Sequence, residues 1–246
     1  MTKVTVVGGP TALIEYAGLR WLTDPTFSAP GEYGGLVKTS FPAIGPDQLG
    51  QIDAVLLSHD HHAGNLDPAG REFLPRAAQV LTTVAGAERL GPNASGLEPW
   101  AETEVAGVTV TAVPALHGPP GAEPVTGPVI GFILSSEGQD TVYVSGDNAS
   151  VDVVDEIAAR LAPIDVAILF VGAVQIATRF DGAYLALSGD RAAIATELLE
   201  ARAVVPVHFE GWTHLTQGLD AVRAAFAGYG LSDRLRAAQP GATVDV

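Results

Sequence analysis

The sequence predicts an α/β protein in which two packed sheets carry helices on their outer faces. Apolar strand patterns crowd the first half of the chain, and strand and helix patterns alternate in the second half. The hairpin pattern that ends at Asp24 resembles the one that ends at Asp147, since both have two apolar strands around a glycine turn. No linker divides the chain, so we expect one domain spanning residues 1–246.

The individual elements follow from periodicity and turn residues. Residues 3–8 alternate as a strand does, and two strands in residues 12–25 meet at the turn Ala17-Gly18. Further strand patterns lie at residues 52–58, 78–83, 108–116, 165–172 and 203–209, and residues 127–148 form a second hairpin. Helices are predicted at residues 67–74, 151–161, 189–203 and 217–227, with Asp67, Ser150 and Ser188 as N-caps. Residues 30–50, rich in Gly and Pro, are predicted to form a long loop.

Composition narrows the classes of function. The net charge of −15 argues against a nucleic acid partner, because proteins that bind polyanions usually carry a basic face. No apolar run approaches the length of a membrane span, and the start MTKVTVVGGP lacks the apolar core of a signal peptide. We therefore expect a cytoplasmic protein that acts on a small molecule, which can still be anionic. No pattern indicates an oligomeric state.

Three of the six histidines fall in the stretch LLSHDHHAGNLD, residues 56–67, directly after a buried strand pattern. In an extended loop His59 and His61 project to the same side, so they can share a metal ion, and His62 then points away. On this stretch alone, a polar loop of solvated histidines is the alternative.

Three other strand patterns also end on a residue that can bind a metal. His117 follows residues 108–116, Asp147 follows residues 141–146, and His208 follows the apolar run AVVPV. Functional groups of layered α/β folds gather at strand ends along one edge of the sheets. A lone histidine after a strand is usually structural, but four such strands together favour one shared metal site. The chain has no cysteine, so the ligands must be nitrogen and oxygen.

The series formed by His59-x-His61, His117, Asp147 and His208 resembles the ligand set of the metallo-β-lactamase fold superfamily. TALIEYAGLRWLTDPTF and VPVHFEGW resemble, more narrowly, the branch of L-ascorbate-6-phosphate lactonase and related phosphodiesterase-like hydrolases. The resemblance implies a four-layer αββα sandwich of two mixed sheets. It also implies that a metal-bound water attacks an ester, lactone, amide or phosphodiester.

The chain departs from the first motif of that family, which reads His-x-His-x-Asp-His. Aligned on the first two histidines, the Asp falls on Ala63 and the last histidine falls on Gly64. The second metal site then keeps only Asp147 and His208. We therefore expect one tight ion and a second ion that is weak or absent. Zn²⁺ suits three imidazoles and a carboxylate, and Mn²⁺ or Fe²⁺ also accept such ligands.

Further side chains are candidates for the surroundings of the metal. His62 could be a replacement ligand, a general acid or a rim residue, and His214 could line the pocket. Arg179 could bind a carboxylate or phosphate of the substrate, or could instead pair with Asp181 at the surface. Tyr184, in the same segment, is a further candidate for substrate binding.

Some polar residues have structural as well as functional interpretations. Tyr33 and Lys38 could belong to a lid over the site. Asp24 is expected to cap a turn beneath the site, and Asp67 is expected to cap a helix.

Two functions fit these patterns. The first is a metal-dependent hydrolase of a small ester, lactone or phosphodiester, in which Asp147 and His62 are the candidate catalytic side chains. The second is a degenerate relative that binds a metal or ligand, or that catalyses a non-hydrolytic reaction at one metal. The retained ligands favour the first function, and the loss of side chains at Ala63 and Gly64 favours the second.

Overall fold

The computed structural model describes residues 2–176 and 178–246. In chain order the strands are β1 (Lys3–Gly8), β2 (Thr11–Tyr16), β3 (Leu19–Thr23), β4 (Gly31–Tyr33), β5 (Leu36–Lys38), β6 (Ala54–Leu56), β7 (Val80–Thr83), β8 (Ala94–Leu97), β9 (Glu102–Val105), β10 (Val108–Ala115), β11 (Val129–Ser135), β12 (Val142–Val144), β13 (Val166–Phe170), β14 (Ala203–Val207) and β15 (Thr243–Asp245). The helices are α1 (Pro68–Phe73), α2 (Val84–Leu90), α3 (Glu123–Thr126), α4 (Val151–Leu161), α5 (Gly189–Leu198) and α6 (Leu219–Gly228).

The two large sheets share one plan. The first has the strand order β15-β1-β2-β3-β6-β7-β8, and the second has the order β14-β13-β12-β11-β10-β9. Strands β1 to β3 pair antiparallel, and β3, β6, β7 and β8 pair parallel. The second sheet likewise changes from antiparallel to parallel pairing at β12. An aspartate follows the strand at each change, Asp24 after β3 and Asp147 after β12, which agrees with the resemblance of the two hairpin patterns in the sequence.

Alternating side chains of both sheets form the central layer. Val4, Ile14 and Trp21 of the first sheet pack in one cluster with Val110 and Phe132 of the second. Burial of apolar surface stabilises such a layer by about 25 cal/mol per Å². Because side chains along a strand alternate between faces, the remaining apolar residues point outward and require a second covering layer.

Helices provide that covering layer on the second sheet. Apolar residues of α4, α5 and α6 pack with the outward side chains of β12, β13 and β14, and α1 packs on the first sheet. The predicted αββα layering is therefore confirmed. The predicted caps are confirmed as well, because Asp67, Ser150 and Ser188 each accept a hydrogen bond from a backbone N–H of the first turn. Every helix in residues 2–176 and 178–246 is too short or too polar to cross a bilayer.

The predicted loop at residues 30–50 is wrong in part, because it contains the hairpin of β4 and β5. Its tip is Gly34-Gly35, where φ is +60° and +85° and glycine is the residue that adopts this conformation without strain. The hairpin is held from outside, since the Thr39 N–H donates to the Gly211 carbonyl and the Thr213 N–H donates to the Val37 carbonyl. Three-residue strands have too little alternation to be recognised in the sequence.

Other differences concern short or edge elements. The sequence did not predict α2, α3, β8, β9 and β15, which have three to seven residues each. The helix predicted over residues 189–203 ends at Leu198. Such short helices and strands contain too few residues to show a periodic pattern of apolar side chains, so the sequence alone does not reveal them.

Lys38 was expected in a lid, and the structure corrects this. Its side chain is only 3% exposed, and Nζ donates to Asp67 Oδ2 over 2.8 Å and to the Thr26 carbonyl over 3.0 Å. Nζ also lies 5.4 Å from the centroid of the Trp212 ring. The ammonium therefore fixes the base of the hairpin to the loop that carries Asp67, beneath the surface.

The buried pair of Lys38 and Asp67 generates a stability prediction. We expect Lys38→Met to lower the free energy of unfolding by about 3–5 kcal/mol, because removing one partner leaves an uncompensated buried charge. Lys3→Met, at an exposed lysine, is the control and should change stability by less than about 0.5 kcal/mol. Urea unfolding of the three proteins measures both values, and equal midpoints for Lys38→Met and wild type would contradict the assignment.

Candidate metal centre

Four of the five residues predicted as ligands gather at one edge of the two sheets. His59 follows β6 after two residues, His117 follows β10, Asp147 follows β12, and His208 directly follows β14. All four side chains are buried, with exposures from 0 to 5%. The carboxyl ends of these strands therefore carry a compact group of imidazoles and one carboxylate.

Three histidines come closest together, and they are His59, His62 and His117. One ring nitrogen from each lies within 4.8 Å of the other two, a spacing that a metal ion could bridge. His59 Nε2 and His62 Nδ1 are 3.1 Å apart, and the ring centroids are 5.2 to 5.3 Å apart. We refer to these three residues as the histidine triad.

Hydrogen bonds to the outer nitrogens orient two members of the triad. His117 Nδ1 donates to the Leu185 carbonyl over 2.6 Å, so its Nε2 must carry the lone pair when the ring is neutral. His59 Nδ1 lies 3.0 Å from Ser58 Oγ. Metal-binding histidines are usually fixed in this way through the nitrogen that does not bind the metal.

The protonation states also suit metal binding. Burial lowers the pKa of His59 well below 6.5, and nearby His117 and His62 lower it further. Burial is also the main reason that the pKa of His62 falls to about 4. Both imidazoles are therefore neutral near pH 7, which is the form that coordinates a metal.

Asp147 supplies a negative charge beside the triad. One of its oxygens lies 3.8 Å from His117 Nδ1, and the other lies 3.0 Å from His208 Nδ1. Burial alone would raise the pKa of Asp147, but His208 and then His117 and His59 hold this pKa well below its usual value. The carboxyl group is therefore ionised across the physiological pH range.

The expectation that His62 points away from the site is wrong, and His61 lies outside the triad. That expectation assumed an extended loop, but the chain bends at Asp60 and His61 and turns after His62. The N–H groups of Asn65 and Leu66 both donate to the His62 carbonyl. The bend exchanges the directions of the two neighbouring side chains, so His62 replaces His61 next to His59.

His61 instead packs at the rim of the site. Its side chain is 28% exposed, and Arg89 Nη2 donates to its Nε2 over 3.0 Å. A side chain at Gly127 would begin only 2.6 Å from its ring, so this glycine makes room for the imidazole. Asp60 fixes the bend, because its buried carboxylate pairs with Arg89 and lies 3.7 Å from Arg71. The sequence analysis did not identify this contribution of Asp60.

Asp24 supports the loop from below, as expected. It accepts hydrogen bonds from the Ser58 N–H over 2.7 Å, from Ser58 Oγ over 2.6 Å and from Asn65 Nδ2 over 2.9 Å. Through Ser58 it reaches the outer nitrogen of His59. Burial raises the pKa of this carboxyl to about 7, against the effect of its donors. The sequence analysis did not identify Ser58 and Asn65 either, because each bonds to Asp24, which is more than thirty positions away.

A cavity of about 300 Å³ opens above the triad. Its walls come from the β4–β5 hairpin, the loop at residues 59–67 and the segment after β13. They include Tyr33, Leu36, His62, His117, Asp147, Val174, Ile176, Arg179, Phe180, Leu185 and His214. Tyr33 and His214 therefore lie where they were expected. Among the described residues Arg179 forms no ion pair with Asp181, and its exposed side chain lies at the mouth.

Tyr184 does not line this cavity, which corrects its expected role in binding substrate. It borders a separate depression, where Arg191 lies 5.1 Å from its ring centroid. The following residue, Leu185, faces the cavity and bonds to His117 through its carbonyl. The one-residue difference places Tyr184 on the opposite side of the segment.

Comparisons with known proteins agree with this geometry. The family described as "Beta-lactamase superfamily domain" matches residues 20–209. A UPF0173 metal-dependent hydrolase of Pyrococcus abyssi is 28% identical over 216 residues, which cover 86% of both chains. The crystal structure of a possible metal-dependent hydrolase from Veillonella parvula superposes with a TM-score of 0.89, at 18% identity and 100% coverage of both chains. That of an isothiocyanate hydrolase from Delia radicum gut bacteria superposes with a TM-score of 0.84, at 18% identity and 99% and 98% coverage. At this identity the two structures show the fold alone.

The triad generates a prediction about metal content. We expect His59→Ala, His62→Ala and His117→Ala to lose the tight metal ion, because two imidazoles rarely hold a divalent ion. His61→Ala is the matched control in the same loop and should retain the ion. Elemental analysis after dialysis measures the content of each variant. Loss from His61→Ala together with retention in His62→Ala would show that the loop binds the metal through His61.

Asp24 generates a prediction about pH. Because its pKa in the folded protein is raised, protonated Asp24 favours folding below about pH 4, and this contribution is lost as the pH rises through about 7. The stability of wild type relative to Asp24→Asn should therefore fall between these pH values by up to about 4 kcal/mol. Urea unfolding of both metal-free proteins at several pH values tests this. Parallel stability curves would show that Asp24 does not titrate in this range.

Proposed function

The chain belongs to the beta-lactamase superfamily, and from this membership and the histidine triad we propose that it is a metal-dependent hydrolase of a small ester, lactone or phosphodiester. One observation carries the proposal: the imidazoles of His59, His62 and His117 converge at the floor of a cavity, beside an ionised carboxylate. Relatives named as metal-dependent hydrolases support the class of reaction.

The residues fit a divalent ion. In the proposed site His59, His62 and His117 hold the ion, and the ionised carboxylate of Asp147 adds a negative charge nearby. Zn²⁺ suits three nitrogen ligands and an open position, and Mn²⁺ or Fe²⁺ are the alternatives. When bound, such an ion supplies a Lewis acid and lowers the pKa of a water ligand to about 7.

In the proposed site the protein side chains bind and orient the substrate. Asp147 is ionised and lines the cavity, so its carboxylate can accept a hydrogen bond from a substrate or a water molecule at the cavity floor. Its second oxygen is engaged by His208, which fixes the carboxylate in place. The Asp of the family motif is absent at Ala63, and Asp147 is the carboxylate of this chain that lines the cavity.

The cavity indicates the kind of substrate. A volume of about 300 Å³ admits a small molecule and excludes a folded polymer. Leu36, Val174, Ile176 and Leu185 form apolar walls, and Arg179 places a cation at the mouth. We propose a substrate with an apolar body and an anionic group, the latter directed to Arg179.

The second candidate function is a reaction other than hydrolysis, or binding alone, at a single metal. The observation that favours it is the absence of ligand side chains at Ala63 and Gly64, which line the cavity. The two functions can be distinguished by experiment, because the second predicts a bound metal without turnover of any hydrolysable substrate.

Turnover of a substrate panel tests the proposal. We expect the zinc-loaded protein to hydrolyse a nitrophenyl ester, an aliphatic lactone or a nitrophenyl phosphodiester, and His62→Ala to reduce this turnover to background. His61→Ala keeps the triad and should remain active. Arg179→Gln should raise KM for anionic members of the panel by about tenfold or more, while neutral members are unaffected.

Hydrolysis and anion binding by Arg179 are separate parts of the proposal, and a different result would contradict each. Full metal content without turnover of any panel member would favour the second candidate function. Equal KM values of wild type and Arg179→Gln for anionic substrates would remove Arg179 from the binding site and leave the hydrolase proposal standing.

A further inference from the structure

One ring nitrogen of His214 faces the cavity above the triad. His214 and Gly64 both line this cavity, and a Cβ atom at Gly64 would lie 3.4 Å from His214 Nε2. The other ring nitrogen, Nδ1, is buried and has no hydrogen-bond partner among the described residues. Because position 64 carries no side chain, nothing at this position covers Nε2, and the nitrogen stays accessible from the cavity.

The protonation of His214 makes Nε2 a hydrogen-bond donor. Burial is the main reason that the pKa of His214 falls to about 4, and nearby His208 lowers it further, so the ring is neutral near pH 7. A neutral imidazole carries one proton, and a buried N–H without an acceptor is rarer in proteins than a buried acceptor without a donor. We therefore place the proton on Nε2 and the lone pair on the buried Nδ1.

Backbone hydrogen bonds and a neighbouring ring fix the position of His214. The Gln175 N–H donates to the His214 carbonyl over 3.1 Å, and the adjacent Thr213 N–H donates to the Val37 carbonyl over 3.0 Å. The ring centroids of His214 and Trp212 are 5.8 Å apart. A donor that is held in place before the substrate binds needs no reorganisation during the reaction, and this makes its hydrogen bond more effective.

From these contacts we infer that His214 donates a hydrogen bond from Nε2 to an oxygen of the bound substrate, next to the bond that reacts. The inference rests on the proposed function, because it assigns a residue to the carbonyl oxygen of an ester or lactone. When the carbonyl carbon is attacked, the π electron pair of the carbonyl moves onto its oxygen, and it returns when the alkoxide leaves. His214 stabilises the negative oxygen and keeps its own proton throughout.

His214 and Arg179 then recognise different parts of one substrate. Arg179 lies at the mouth and suits an anionic group, whereas His214 lies in the wall and, as a neutral donor, suits an uncharged oxygen that becomes negative. The cavity of about 300 Å³ holds a single small molecule. A molecule that reaches the triad therefore also lies beside His214.

Binding of phenylphosphonate to the zinc-loaded protein tests the inference without an activity assay. This probe has an apolar body, and its tetrahedral anionic head resembles the charge that develops on the substrate oxygen. His214→Gln keeps an amide N–H at the position of Nε2, whereas His214→Asn keeps one only at the position of Nδ1. We expect calorimetry to show that the probe binds about tenfold or more weakly to His214→Asn than to the wild type, and within about threefold of the wild type to His214→Gln.

Two further measurements separate the hydrogen bond from a structural role. In protein with isotope-labelled histidine, nitrogen NMR shifts should show His214 as neutral with its proton on Nε2, and phenylphosphonate should move this signal. Gly64→Ala keeps His214 and adds a methyl group beside Nε2, at a φ angle outside the left-handed region, so it should weaken binding of the probe as His214→Asn does. Thr213→Ala, at the exposed neighbour of His214, is the control and should bind the probe as the wild type does.

Equal affinities of the wild type and His214→Asn, a wild type that does not bind phenylphosphonate, or a proton on Nδ1 would each overturn the inference. Failure of the proposed function has a different signature. Loss of zinc from the wild type on dialysis would contradict the metal site of the triad, and the NMR measurement, which needs no metal, would still decide the donor role. Binding of the probe as expected without turnover of any ester or lactone would contradict hydrolysis and leave the donor role of His214 standing.

Discussion

The position of the loop at residues 59–67 depends on one buried carboxylate, Asp24. It lies at the end of β3 and binds both ends of the segment that carries the histidines, at Ser58 and at Asn65. A fully buried carboxyl group is costly unless donors surround it, so this interaction holds the two loops in a single relative position. Because Ser58 Oγ also contacts His59 Nδ1, the direction of the first imidazole follows from that position.

The same loop is fixed at two further points, where a buried carboxylate forms an ion pair. Asp60 pairs with Arg89, and Asp67 pairs with Lys38. The chain has 13 basic residues against 28 acidic ones, yet it places cations against both of these carboxylates. The basic residues near the site therefore serve mainly to neutralise the loop. Among the described residues that line the cavity, Arg179 is the arginine, and we propose that it binds the ligand.

Much of this architecture could be predicted from the sequence because it follows from local patterns. Apolar runs that stop at His117, Asp147 and His208 identified three of the strand ends at the site, and the serine and aspartate caps identified the longer helices. These signals need only a few neighbouring residues. The layers of the sandwich then follow, since strands that are apolar on both faces must be covered on both.

The conformation of the loop at residues 59–67 could not be predicted in the same way. Alternation in an extended chain pairs His59 with His61, whereas the folded loop pairs His59 with His62. The bend that makes this difference is held by Arg89, which is 29 residues from Asp60, and by Asp24, which is 41 residues from Asn65. Likewise, Lys38 seemed free for a lid until its partner Asp67 was known. Interactions across such separations leave no trace in a local pattern.

His214 lies in the segment after β14, which is hydrogen-bonded to the β4–β5 hairpin at Gly211 and Thr213. That hairpin contributes Tyr33, Gly34 and Leu36 to the cavity wall. This side of the cavity is therefore built from two segments that hold each other through backbone hydrogen bonds, whereas Asp24 and Asp60 fix the opposite side, the loop at residues 59–67, through side chains.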